Sequence, residues 1–277
     1  MTGSDRAKWN RKYQDANLPE DLRPPHWLEQ HIEVGENVTV ADVTDSLGLL
    51  GVTGPRSREL LDRLTEADLS NESFRWLTAQ EMDVAGVPCR ALRVSYVGEL
   101  GWELHHPMDR MADLYEAIVA AGEPLGMVHF GSYAMNVMRI EKGYKAWGNE
   151  LTTEITPVEA ELGRFVDYDG EFIGKEATLA RRDQSEPLSM VLVYCEVDAD
   201  DNDCRGNEPA LDGDRVMGIT TSGTWGHTVG KSLAYVYVEP RFAEPGSTFD
   251  ILMLGERRTA TVLAKPAYDP ANEALRA

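Results

Sequence analysis

The chain has 277 residues, of which 42% are hydrophobic and 27% are charged, so it can bury a sizeable core in about one to three domains. Its formal net charge is -20. This charge argues against a nucleic-acid partner, because phosphates would be repelled. We interpret the charge as adaptation to high salt, with an acidic patch for a basic partner as the alternative.

Several function classes lack their signatures. No run of about 18 apolar residues predicts a membrane span, and residues 1–8 do not resemble a signal peptide, so we expect a cytoplasmic protein. The chain has no dinucleotide-binding glycine motif, so we expect no FAD site in it. Its histidines and cysteines show no metal-ligand spacing and predict no metal site. The three cysteines are expected to be reduced and structural; they are Cys89, Cys195 and Cys204.

The first two thirds of the chain mix helix and strand patterns. Residues 1–26 are polar and predict an N-terminal extension. The pattern then predicts strands at 38–43 and 47–52, a helix at 57–64, a hairpin at 84–95, and helices at 108–121 and 132–141. The second of these strands is the more apolar and is expected to be the more buried. This mixture predicts an α+β fold for a domain at residues 27–185.

The last third has a different character. It alternates short apolar runs with turns that carry glycine or proline, and it predicts strands at 188–197, 216–223, 232–238, 248–254 and 258–264. Such a series is typical of a small barrel or sandwich, which we place at residues 186–277. The linker between the two domains is expected near residues 181–187.

Residues 96–103 form the most informative segment, Tyr-Val-Gly-Glu-Leu-Gly-Trp-Glu. Gly98 and Gly101 permit a positive φ or a close approach by another group. Such a turn can present Tyr96 and Glu103 together. A tyrosine offers a flat ring, and a glutamate accepts two adjacent N–H donors, which suits a planar heterocycle such as a pterin. A hairpin turn with solvated acids is the alternative, and spacing alone favours it.

Other motifs accompany this turn in a fixed order. They are Asp42–Ser46, Leu49–Ser57, Tyr96–Glu103, Arg139–Gly148, Thr156–Ala160, Phe172–Glu176, Thr221–Gly223, Val229–Ala234 and Lys265–Pro270. Together they resemble the glycine-cleavage T-protein (aminomethyltransferase) family, above all the C-terminal folate-binding half of dimethylglycine and sarcosine dehydrogenases. The resemblance covers roughly residues 27–272.

The resemblance implies a tetrahydrofolate cofactor and transfer of a one-carbon unit to it, giving 5,10-methylenetetrahydrofolate. It implies that Tyr96 packs on the pterin, that Glu103 accepts the ring N–H donors, and that Tyr268 lies at the mouth of the cavity. A core tyrosine is the alternative for Tyr268. We interpret Glu99 as a turn carboxylate outside the site.

The sequence departs from the family pattern at two places. Met135 stands where T-proteins carry an arginine, and the dehydrogenase branch is apolar there too. The family's catalytic aspartate precedes the segment that matches Asp42, so we expect an N-terminally truncated chain and assign no catalytic residue. Arg139 is expected to be structural, and the aromatic residues Trp102, Tyr144 and Trp147 are expected to lie in the core.

Three functional hypotheses stay open. The chain is a one-carbon transferase module beside a partner flavin dehydrogenase that makes the iminium, a non-catalytic folate-binding subunit, or a remnant of a larger FAD-dependent dehydrogenase. A carbohydrate-active enzyme is a fourth hypothesis, suggested by the many acidic residues. We set it aside, because these residues reflect the overall charge rather than a paired-acid site.

Overall fold

The computed structural model describes residues 28–183 and 188–277, so the predicted extension at 1–26 lies outside the described residues. The first half of the molecule is built on an antiparallel sheet with the strand order β1-β4-β3-β2. Its strands are β1 (Leu47–Thr53), β2 (Ala79–Val84), β3 (Val87–Leu92) and β4 (Gly101–Pro107). The helices within the described residues include α1 (Ser57–Leu61), α2 (Met111–Gly122), α3 (Ser132–Glu141), α4 (Lys175–Arg182) and α5 (Glu273–Arg276).

The two faces of this sheet differ because side chains alternate along each strand. On β4, Trp102 and Leu104 are buried and join a core that includes residues of α1 and α2. Glu103 and His105 point to the other face and keep partial exposure. The sheet therefore has one packed face and one face that remains accessible.

The second half is a closed barrel with the strand order β10-β5-β8-β7-β6-β9. Its strands are β5 (Val191–Val197), β6 (Pro209–Asp212), β7 (Arg215–Gly226), β8 (Lys231–Val238), β9 (Thr248–Met253) and β10 (Glu256–Val262). The inward-facing residues form one apolar core. Of the two predicted architectures, barrel and sandwich, the barrel is confirmed, as is the α+β class.

The predicted strand at 38–43 is wrong. Val38 and Val43 are both more than half exposed, and the backbone here has no strand partner. The Asp42 carboxylate accepts the Thr44 N–H at 2.9 Å, and Ser46 N–H bonds to Val43 O at 2.9 Å. The polar side chain thus turns the chain before a ladder can form.

β1 was expected to be more buried than residues 38–43, and this is confirmed, because Gly48 and Val52 are buried whereas no residue of 38–43 is. It is an edge strand, paired only with β4 among the described residues, and Leu47 and Leu49 are nearly half exposed. The predicted hairpin exists, but it turns at Ala85 and Gly86, whose φ values of 54° and 78° fit a tight two-residue hairpin loop.

Three further expectations need correction. α1 ends at Leu61, earlier than predicted. α4 occupies residues 175–182, where part of the linker was expected; the domain boundary itself stays a prediction. Trp147 is 72% exposed and outside the core, whereas Trp102 is 1% exposed as expected.

The cysteines are free and buried. Burial raises the pKa of the Cys89 thiol to about 11 and that of Cys204 to about 12, so both stay protonated near neutral pH and are poor nucleophiles. Within residues 28–183 and 188–277, no helix has the length and apolarity to cross a bilayer. The cytoplasmic compartment and the adaptation to high salt stay predictions.

Candidate functional site

The turn before β4 depends on its two glycines. Gly98 has a φ of 82°, and a Cβ there would lie 2.9 Å from the side chain of Lys142. A Cβ on Gly101 would lie 3.0 Å from Val52 O. Both glycines therefore serve the purposes that the sequence predicted, a positive φ and close approach.

Tyr96 is bonded within the protein. Its hydroxyl donates to Lys145 O at 2.9 Å, and its ring stacks on Tyr144 with centroids 6.2 Å apart and an angle of 18°. Burial raises the pKa of Tyr96, so the hydroxyl stays neutral. These contacts join the turn to the segment that follows α3.

Tyr268 reaches the same turn from the end of the chain. Its hydroxyl donates to the Glu99 carboxylate, and its backbone N–H bonds to Glu141 O at 2.9 Å. The hydrogen bond to Glu99, with burial, raises the pKa of Tyr268 to about 12. Glu99, which the sequence left outside the site, is thus a direct contact of a predicted site residue.

A buried ion pair fixes the segment that carries Tyr268. Lys142 is 1% exposed, and its Nζ lies 2.8 Å from Asp269 Oδ2. The Asp269 carboxylate also accepts the backbone N–H groups of Glu273, at 2.7 Å, and Ala274, at 3.2 Å. Burial opposes ionisation of Asp269, but the hydrogen bonds from Lys142 and the two N–H groups outweigh it and lower its pKa.

Glu103 differs from both tyrosines because no described residue donates a hydrogen bond to it. Its side chain is 34% exposed, and the nearest basic atom is His105 Nε2, 3.7 Å from Oε2. Gly51 lies directly opposite on β1, and a Cβ there would meet nothing within 4 Å. Glu103 therefore presents unused acceptors beside open space.

Tyr96 and Glu103 lie at the two ends of the turn and Tyr268 contacts the turn through Glu99, but no hydrogen bond or ring contact joins the three to one another in the described structure. Tyr96 and Tyr268 each bond to protein groups, and Glu103 faces the accessible side of the sheet. A shallow depression of ≈ 640 Å³ elsewhere is lined by residues 171–179 and includes none of them. In the part of the chain that the structure describes, no group of three acidic, histidine or cysteine side chains could hold a metal ion.

Arg139 and Glu150 form a second charged cluster, which is buried and fully hydrogen-bonded. Arg139 Nη1 lies 2.9 Å from Glu150 Oε2, and both side chains are at most 1% exposed. Glu150 also accepts the Ala146 N–H at 2.7 Å and the hydroxyls of Thr221 and Ser222 from the barrel. This cluster connects α3 to β7, so the structural reading of Arg139 agrees with its contacts.

Comparison with known proteins adds the evolutionary context. The family model for the GCVT N-terminal domain matches residues 15–170, and that for the glycine cleavage T-protein C-terminal barrel domain matches residues 191–269. The chain belongs to the glycine-cleavage T-protein family. This confirms the resemblance inferred from the motifs and the T-protein fold that it implied.

Members of the glycine-cleavage T-protein family with curated names extend beyond this chain. The mitochondrial dimethylglycine dehydrogenase of Mus musculus is 39% identical over 249 residues, which are 89% of this chain and 28% of that protein. An aminomethyltransferase of Caldanaerobacter subterraneus is 31% identical over 254 residues, which are 91% of this chain and 66% of that protein. The chain thus spans little more than a quarter of the dehydrogenase.

A solved structure shows the same fold. The glycine cleavage system aminomethyltransferase T from Bartonella henselae superposes with a TM-score of 0.71 at 22% identity, covering 81% of this chain and 60% of that one. The chain is accordingly an aminomethyltransferase-family domain of the folate-binding kind, related to dimethylglycine and sarcosine dehydrogenases.

Proposed function

We propose that this chain binds tetrahydrofolate at the 96–103 turn and takes part in one-carbon transfer from an N-methyl amino acid of the glycine, sarcosine or dimethylglycine type. The observation that carries the proposal is the Glu103 carboxylate, which has no donor among the described residues and faces open space at Gly51. A partly shielded carboxylate is stabilised by paired N–H donors, and a pterin edge offers two. The acceptor oxygens of Glu103 therefore match the N–H donors of a pterin.

Each predicted residue has a distinct task in this proposal. Glu103 accepts the ring N–H and the adjacent amino group of the pterin, which fixes its orientation. Tyr96, held by Lys145 O and Tyr144, supplies an aromatic surface. Tyr268, held by Glu99, borders the opening. Bound tetrahydrofolate supplies the amine nitrogens that receive the one-carbon unit, giving 5,10-methylenetetrahydrofolate.

The test is anaerobic calorimetric titration of the folded chain with tetrahydrofolate in high salt. We expect micromolar affinity in the wild type and a loss of about 100-fold in Glu103→Ala, because two hydrogen bonds to a charged group disappear. Glu116→Ala is the matched control, since Glu116 lies exposed on α2. A folded wild-type chain that binds no tetrahydrofolate would refute the proposal.

Product formation from a one-carbon donor distinguishes a transferase from the second candidate, a non-catalytic folate-binding subunit. We propose that a flavin-dependent dehydrogenase chain supplies the iminium, because the related proteins include such dehydrogenases. Adding one that oxidises dimethylglycine should yield 5,10-methylenetetrahydrofolate. Folate binding without this product would favour the binding subunit.

We assign no catalytic acid or base in this chain, and a transferase module without one should be slow alone. Loss of a positioned proton donor or acceptor costs about 10²–10⁴-fold in rate. Turnover by the isolated chain at the rate of a complete aminomethyltransferase would therefore contradict the need for a second chain.

A further inference from the structure

The neighbour of Glu103 on the accessible face of the sheet is His105. The two residues are two positions apart on β4, so their side chains share a face. His105 Nε2 is shielded from solvent and has no hydrogen-bond partner among the described residues. Its separation of 3.7 Å from Glu103 Oε2 is too long for a hydrogen bond between the two side chains.

The surroundings do not supply the missing partner. Leu49 of β1 and Arg90 of β3 lie opposite His105 on the two flanking strands. Leu49 is apolar, and the Arg90 guanidinium is paired with Glu81 at 2.7 Å. A shielded polar atom without a partner is costly, and this one stands beside a carboxylate that also has spare capacity. The His105 side chain is 33% exposed, so rotation of the ring would bring the shielded Nε2 to a ligand that also contacts Glu103.

We propose that His105 is the second recognition group of this site, and that its Nε2–H donates to the C4 carbonyl oxygen of a 4-oxopterin. This inference rests on the proposed function, because it takes Glu103 as the acceptor for that pterin. Along one edge, a 4-oxopterin presents an amino donor, a ring N–H donor and a carbonyl acceptor. Glu103 offers two acceptors and His105 one donor, which together complement the two donors and one acceptor of that edge.

The inference predicts discrimination between two ligands of nearly equal shape. In 4-aminofolic acid the C4 substituent is a donor and the neutral ring nitrogen beside it is an acceptor. His105 would then face a donor, and one oxygen of Glu103 would face a lone pair, so two favourable contacts become unfavourable. Sites that hydrogen-bond a particular group reject analogues that lack it far more strongly than apolar pockets do.

The experiment measures binding of folic acid and 4-aminofolic acid to the full chain by calorimetry. We expect the wild type to prefer folic acid by more than tenfold. His105→Leu should weaken folic acid binding about tenfold and leave 4-aminofolic acid nearly unchanged, so the preference shrinks by about that factor. His105→Gln, which keeps an N–H donor, should restore part of the preference.

The controls separate this inference from the proposed function. His227→Leu removes an exposed histidine from the β7–β8 turn and should leave both affinities unchanged, and thermal unfolding verifies that each variant is folded. If Glu103→Ala abolishes folic acid binding while His105→Leu keeps the full preference, the inference is overturned and the proposed function stands. If the folded wild type binds neither ligand, the inference is overturned, and the tetrahydrofolate titration decides the proposed function separately.

Discussion

Glu150 and Glu103 are two carboxylates in opposite environments. Glu150 is fully buried, and each of its oxygens is engaged by Arg139, the Ala146 N–H or barrel hydroxyls. Glu103 is one third exposed and accepts no hydrogen bond from the described residues. A saturated carboxylate holds the molecule together, whereas an unsaturated one keeps its capacity for a ligand. Residue type alone does not separate the two roles.

The largest expected loss of stability comes from breaking the buried cluster of Arg139 and Glu150. Glu150→Ala should lower the free energy of unfolding by about 3–5 kcal/mol, because it leaves the Arg139 charge buried without its counter-ion. Denaturant titration followed by circular dichroism measures the change. Glu103→Ala is the matched control and should change stability by about 0.5 kcal/mol or less.

Equal losses of stability from the Glu150 and Glu103 variants would contradict the distinction between a structural and a ligand-binding carboxylate. Glu150→Gln tests the role of Glu150 more finely. The amide keeps the size of the side chain and can still accept one bond from Arg139, so its cost should fall between those of the wild type and the alanine variant.

The second largest loss of stability is expected from breaking the Lys142–Asp269 ion pair. Lys142→Met keeps most of the buried apolar stem but removes the ammonium that bonds Asp269. We expect a loss of about 3 kcal/mol, because Asp269 keeps only its two backbone donors. Chemical unfolding measures it. Lys175→Met, in which the lost partner Glu171 is 90% exposed, should cost less than about 1 kcal/mol; a similar cost for both lysines would contradict the structural role of Lys142.

The smallest expected effect belongs to Tyr268. Tyr268→Phe removes the hydrogen bond to Glu99 and should cost about 1 kcal/mol near neutral pH. The folded pKa of about 12 exceeds the ordinary value of about 10. The contribution of the hydroxyl is therefore complete below pH 10 and is lost as the pH rises through about 12.

Alkaline unfolding curves check the Tyr268 prediction. The stability difference between the wild type and Tyr268→Phe should shrink as the pH rises from about 10 towards 12. A difference that stays constant over that range would show that the hydroxyl and Glu99 are not coupled.

Much of the fold could be predicted because its signals are local. The apolar period of α3 and the apolar run of β8 are read directly from neighbouring residues, and Ser132–Glu141 is helical as predicted. The strand at 38–43 was wrong because an apolar alternation says nothing about whether a neighbour exists to pair with it. β6 was missed since it has four residues and begins with Pro209, which is tolerated only at strand starts and edges.

The site was harder to predict than the fold. The motif named Tyr96, Glu103 and Tyr268 through a family resemblance, but their partners are set by distant contacts. The bond from Tyr268 to Glu99 crosses 169 positions, and no local pattern encodes it. His105 could have been noticed from its spacing, because a residue two positions beyond Glu103 on a strand shares its face.

The bond between Tyr268 and Glu99 has a consequence for how a cell makes this protein. The ribosome releases residues 96–103 long before it reaches residue 268, and domains begin to fold from the N-terminal side during synthesis. The nascent turn must wait while more than 160 further residues, the whole barrel among them, are translated. Every polypeptide released by a premature stop before that point therefore carries a Glu99 that never meets its tyrosine.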